Sequence, residues 1–429
     1  MHMTYQYLVN KRKCVLYAIT VIAVICFACE NKKDNSDLAA EAINSITEIF
    51  KSHPIVALGE SHGWKEESEF IFSLIKNEEF QRTVNDIVVE CGNAKYQFLM
   101  DDYVMNGKQI PQVELQQAWR NMTVLCTCDA PIYEELFKTV KEVNVGLQGK
   151  KLRVLLGEPG LDWASIHTGE DLNPWIIQRD VHYAGVVERE VLSKRRKALL
   201  IMGSFHFIKA GWGVDHTGAK MFTGRGLSDK NDSSIGLTSL PPPGNSSLKD
   251  SMIMIENPKQ SKKFTKQMTA ETAEPDLYAK NVFQLLEQEY PNQTFVILPH
   301  DGYGEESGIS KIEEQIKDQK PKLLLTKDTW IGNTAATVLF SHDALYIENG
   351  KTTRVSFHPY PNSKITDLCD AYLFITTREK MHRSIPSLSN YEKEYLIELN
   401  RRSKITRGEA FNLEMHRDTT TFLHPKLMR

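Results

Sequence analysis

Six short apolar runs, at residues 55–58, 87–89, 152–156, 198–202, 295–298 and 371–375, set the strongest limit on how this chain can fold. None alternates polar with apolar, so the strands they form cannot leave one face in water. Strands buried on both faces belong to parallel sheets covered by crossover helices. Between the runs, residues 65–76, 94–105, 132–145, 175–195 and 276–289 repeat apolar side chains at spacings of three and four, with charges between. The expected fold is therefore α/β, a mainly parallel central sheet flanked by helices. Two stretches exceed what simple crossovers need. Residues 92–150 hold two or three helices between two strands and are expected to form a helical insertion, as a cap over the sheet edge or as plain packing. Residues 211–275 contain Gly224-Arg225-Gly226 and Pro241-Pro242-Pro243-Gly244 and are expected to form a long loop or lid, with one possible strand at Met252-Ile253-Met254-Ile255.

The N-terminus has a different character. Lys11-Arg12-Lys13 precedes an apolar run of roughly 14 residues from Val15 to Ala28, short of the ~20 that a spanning helix needs. This is the layout of a signal peptide, residues 1–29, and its Ala28-Cys29 end resembles a bacterial lipoprotein signal with lipidation at Cys29. Residues 30–45 are then a polar tether, 46–400 a single hydrolase-like domain and 401–429 a basic tail left without assigned structure. The expected location is the cell envelope outside the cytoplasm, periplasmic or outer-membrane, with the lipid as the membrane partner. Cys29→Ser is expected to move the protein from membranes to the soluble fraction, and unchanged membrane retention would exclude lipidation at Cys29. A net charge of −3, from 52 Lys and Arg against 55 Asp and Glu, provides no field for holding nucleic acid, and no such partner is expected.

Four cysteines lie beyond the targeting segment. In an oxidising compartment Cys91, Cys126, Cys128 and Cys369 can form disulfides, although they are too few and too scattered to be a scaffold, and Cys91 and Cys369 read equally well as small buried residues. Cys126-Thr127-Cys128 lacks the C-x-x-C spacing of a redox or zinc pair.

Polar residues suited to chemistry follow most of the runs, and ligands of parallel sheets bind at the carboxyl ends of strands. The first run leads into Gly59-Glu60-Ser61-His62, the second into Glu90, the third into Gly157-Glu158 with Asp162 beyond, the fourth into Gly203-Ser204-Phe205-His206, and the fifth into His300. The glycines at the strand exits are expected to permit tight turns that aim the following side chains into the crevice. His62, His206 and His300 are candidates for proton transfer, with Glu60 and Glu90 orienting them. His62, His206 and Glu90 also suit a divalent metal such as Zn, Mn or Co. Arg179, which with Asp180 reads either as an exposed ion pair or as a carboxylate holder, is a candidate for substrate binding together with Glu158 and Asp162. No G-x-S-x-G nucleophile motif occurs, so attack by activated water on a small-molecule or peptide substrate is the expected chemistry.

Taken in order, Leu58-Gly59-Glu60-Ser61-His62, Val88-Val89-Glu90, Arg179-Asp180 and Met202-Gly203-Ser204-Phe205-His206 resemble the superfamily that joins erythromycin esterase-like proteins, ChaN-like haem-binding lipoproteins and the TraB/Tiki proteins. The resemblance covers roughly residues 54 to 300. It implies an α/β fold with a helical insertion and functional roles for Glu60, His62, Glu90, Arg179 and His206. It implies water activation without a metal in the esterase branch, metal-dependent peptidase action in the Tiki branch and haem binding in the ChaN branch. Glu60 and His62 stand two apart, as in the ChaN or Tiki form of the turn, where the esterase pattern has three.

Overall fold

The computed structural model of the chain describes residues 35–210, 212–216, 219–222, 280–300, 306–316, 320–338, 342–348, 351–359, 362–384, 386, 391–408, 410 and 411. Cys29 and its signal-like segment lie outside them, as does most of 211–275, including 252–255. The strands are β1 (Ile55–Glu60), β2 (Asp86–Asn93), β3 (Arg153–Glu158), β4 (Ala198–Gly203), β5 (Trp212–His216), β6 (Ala219–Phe222), β7 (Thr294–Pro299), β8 (Lys322–Leu325), β9 (His342–Glu348), β10 (Lys351–Pro359) and β11 (Ala371–Phe374). The central sheet has seven strands in the order β3-β2-β4-β1-β7-β11-β8. Every pairing in it is parallel except that of β8, which closes one edge antiparallel to β11. The fold is the α/β class expected from the apolar runs, and all six runs are strands of this sheet.

The alternation hidden in each run sorts its side chains onto two buried layers. Val56 and Leu58 pack on one face with Ile87, Val89, Leu156 and Ile201, covered by Leu99, Met100, Trp119, Tyr133 and Phe137 of the insertion. Ile55 and Ala57 pack on the other with Val88, Leu155, Leu200, Met202 and Leu298, covered by Val181, Tyr183, Ala184 and Val187. Each fully buried Leu, Val or Phe contributes about 1.5–3 kcal/mol relative to exposure, so both layers hold the sheet. The insertion closes one face through the Pro131–Gly146 helix, which starts with its proline at the first helical position, where no N–H is needed.

Four expectations change. The helix expected over 175–195 is broken into Gly169–Ile177, Arg179–Val187 and a π-helical turn Glu188–Leu192. Residues 35–45 of the expected 30–45 tether belong to a helix, Asn35–Ile49, that buries Ala39, Ala42 and Ile43 against the sheet layer. The 401–429 tail begins inside the Lys393–Arg407 helix, which ends at Gly408 in a left-handed conformation (φ 75°) that favours glycine. One of its basic residues turns inward: Arg402 is 4% exposed and donates to Arg120 O at 2.8 Å and Asn121 Oδ1 at 2.6 Å. Finally, the 211–275 stretch supplies β5 and β6 to a separate antiparallel sheet, order β6-β5-β10-β9.

Candidate active site

Strand order brings the candidate residues together. β4 lies between β1 and β2, so the carboxyl ends of these three strands are neighbours about 5 Å apart. Glu60 is in register with Gly203, and Val89 with Ile201, which sets Glu90 beside the end of β4. Parity then divides the carboxylates. Glu60 follows Val56 and Leu58 onto the insertion face, while Glu90 follows Val88 onto the face covered by the Arg179–Val187 helix.

His62 Nδ1 donates to Glu60 Oε1 at 2.8 Å, and its Nε2 lies 3.5 Å from Glu90 Oε2. His206 is built the same way from the other side. Its Nδ1 donates to Asp180 Oδ1 at 2.6 Å and its Nε2 lies 3.5 Å from Glu90 Oε1. Each imidazole is thus oriented at Nδ1 by a carboxylate and presents Nε2 to the same Glu90, at a distance longer than an ordinary hydrogen bond. The His62 side chain is 33% exposed and that of His206 9%. His62 is therefore the imidazole that water and substrate can reach.

Glu90 is fixed by two donors, Arg179 Nη2 at 2.6 Å and the Gly203 amide at 2.7 Å. Arg179 Nε reaches back to Glu158 Oε2 at 3.0 Å and to the Tyr183 hydroxyl at 3.1 Å. Glu158 also accepts from the Tyr183 hydroxyl, the Thr123 hydroxyl and, at 3.0 Å, the Thr123 amide. Arg179 and Asp180 are therefore not an exposed pair. They lie adjacent on one buried turn and serve different partners.

Two expected site residues stand apart. Asp162, half exposed, pairs with Lys95 Nζ at 2.6 Å and caps a short helix through the Ala164 amide, because the chain leaves the rim at Pro159. His300 continues the parity of Val296 and Leu298 and is fully buried between β7 and β11. It bonds the Tyr372 hydroxyl, and its Nε2 lies 3.0 Å from Glu313 Oε1. It has no access to solvent and reads as packing.

The role expected of the glycines also changes. Neither Gly59 nor Gly203 has a positive φ. They are needed for close approach: a Cβ at Gly203 would stand 3.0 Å from His62 Nε2, and one at Gly59 would stand 2.7 Å from Ser204 Oγ. Tyr133, in the insertion, carries no motif at all, yet its hydroxyl donates to Glu60 Oε1 at 3.3 Å and lies 3.2 Å from His62 Nδ1.

Among the described residues, Glu60, His62 and Cys91 bring ligand atoms within 4.8 Å of one another. Cys91 is in a disulfide with Cys128, so it offers no thiolate. The His62, His206 and Glu90 set does not fit a divalent ion well either. Both Glu90 oxygens already accept hydrogen bonds and the Arg179 guanidinium neutralises that carboxylate, leaving little anionic charge for a metal.

Electrostatics separate the roles of these groups. Burial pushes the His206 imidazole down, but Asp180 and Glu90 outweigh it and raise its pKa to about 9. His62 is raised too, burial being outweighed by Glu90 and Glu60. For Glu90, burial is outweighed by His62, His206 and Arg179, which hold it well below the usual carboxylate range. A raised histidine pKa stabilises the fold fully below the unfolded value near 6.5, and this contribution is lost as pH rises through about 9. The urea midpoint is therefore expected to fall between pH 6.5 and pH 9.5, and to fall less in His206→Gln. An equal fall in both proteins would show that His206 is not the group responsible.

No protein-family model matches the chain, and no curated protein sequence does. Three solved structures are similar to it. One is described as a succinoglycan biosynthesis protein, 11% identical, covering 77% of this chain and 90% of that one at a TM-score of 0.40. Another is a Bacillus cereus protein, 9% identical over the same shares at 0.38. The third is the type III effector HopBA1, 13% identical, covering 40% of this chain and 76% of that one at 0.28.

Proposed function

We propose that the chain is a hydrolase of the erythromycin esterase, ChaN and Tiki-like group, acting on a small-molecule or peptide acyl bond by activated water. One observation carries this reading: two imidazoles, each held at Nδ1 by its own carboxylate, present Nε2 to one shared carboxylate at the carboxyl ends of adjacent strands. His62 Nε2 takes a proton from water as the water attacks the acyl carbon, and Glu60 stabilises the imidazolium at Nδ1. His206, a cation at neutral pH, faces the negative charge that develops on the acyl oxygen, and Arg179 holds Glu90 in place between the two rings. The proton on His62 then passes to the leaving group as the acyl bond breaks, which returns the site to its starting state.

No step of this scheme needs a metal. The purified chain is expected to release acid from a broad panel of esters or peptides after exhaustive dialysis against chelator. Uptake of haem with a Soret band and no hydrolysis across the panel would overturn the proposal in favour of a binding protein.

A further inference from the structure

The site draws two of its contacts from the insertion, and both flank one covalent tie. Cys128 is bonded to Cys91, which directly follows Glu90 on β2. Five residues before Cys128, Thr123 holds Glu158, and five residues after it, Tyr133 reaches Glu60 and His62. Between Arg120 and Pro131 the chain forms turns without a regular helix or strand. Cys126 there takes a left-handed conformation, φ 59°, that a non-glycine residue holds only when its surroundings over-determine it. The tie therefore fixes an irregular stretch that connects the insertion to the rim, at a point one residue from the carboxylate shared by both histidines.

We infer that the Cys91–Cys128 disulfide is a positioning element of the site, setting Tyr133 on the Glu60–His62 pair and Thr123 on Glu158, so that the oxidised chain is the competent form. This rests on the hydrolytic reading and deepens it by giving the site a redox dependence. Reduction by a dithiol breaks the S–S bond, places one proton on each of Cys91 and Cys128, and leaves the two-electron donor as a cyclic disulfide. The Tyr133 hydroxyl is then free to leave Nδ1 of His62, and the imidazole loses one of the groups that fix its plane. An oxidised pair also suits the compartment expected from the N-terminal segment.

The test uses the full chain carrying Cys126→Ser, which removes the nearby thiol that could exchange with the pair. Oxidised, dithiothreitol-reduced and reoxidised samples are compared with a Cys91→Ala/Cys128→Val variant that replaces the tie by apolar packing. Turnover of an ester is measured together with the NMR resonances of the His62 and His206 rings and the far-UV circular dichroism. The expected result is a loss of at least ~10-fold in kcat, approaching the ~10² that a 1 Å misplacement costs, with little change in KM. The His62 resonances move, those of His206 move less, the dichroism is retained and reoxidation restores the rate. Full kcat in the reduced sample and the variant, or loss of rate only alongside loss of dichroism in both, overturns the inference. If the oxidised protein hydrolyses nothing, the enzymatic reading fails separately, and the ring resonances still decide: unmoved His62 signals on reduction refute the positioning role.

Discussion

Arg179→Met is expected to lower stability by about 3–5 kcal/mol, the cost of leaving a buried charge without its partner. Glu90 is 3% exposed and Glu158 fully buried, and one guanidinium serves both. Methionine fills the volume of the stem but donates nothing. Glu158 keeps Thr123 and Tyr183 as donors, whereas Glu90 keeps only the Gly203 amide and the two histidines. The variant should therefore bind protons that the wild type does not, and its stability should recover partly as pH falls toward 5. Arg179→Lys should be intermediate, because an ammonium cannot span two carboxylates as a planar fork does. Urea titrations of the three proteins at pH 5 and pH 7.5 check this. A methionine variant as stable as the wild type at pH 7.5 would mean that the pairing contributes no net stability and that Glu90 is held by other groups.

The fold was legible because burial on both faces leaves a strong trace: a short apolar run without alternation, bounded by polar or Gly/Pro signals, is the pattern of a strand covered on both sides. It holds even for β3 at the sheet edge, whose residues beyond Arg153 are all buried. β8 left a fainter one. Lys322–Leu325 is four residues long, partly exposed and at the sheet edge, so its apolar run is too brief to separate from a loop. The β9–β10 pairing did leave a signal, since Asn349-Gly350 between them is the dipeptide most typical of a two-residue hairpin. The site was legible where strand ends supply it, in Glu60, His62, Glu90, Glu158 and His206. It was not legible where the insertion supplies it. Tyr133 meets His62 across 71 residues of sequence, and Thr123 meets Glu158 across 35, distances over which periodicity carries no information. His300 misled for a related reason. A strand-end histidine looks the same whichever face its parity selects, and on β7 that face is sealed by Tyr372 and Phe374.

His62→Ala is expected to have the largest effect on activity. Loss of a positioned general base lowers turnover by at least ~10²-fold, and within this site no other imidazole is exposed enough to replace it. Its pH dependence identifies the role. In the wild type, kcat/KM should rise with pH as His62 loses its proton, above the ordinary histidine value near 6.5 because Glu90 and Glu60 outweigh burial. It should fall again as His206 loses its proton near 9. His62→Ala should abolish the rising limb and retain the falling one, whereas His206→Gln should do the reverse. Stability should change by no more than ~1 kcal/mol in His62→Ala, since a third of the side chain is already in water and Glu60 keeps the Tyr133 hydroxyl. This separates lost chemistry from lost fold. Turnover within a few-fold of wild type in the double variant, with both imidazoles gone, would place the reacting centre elsewhere and remove the basis for reading these paired turns as catalytic.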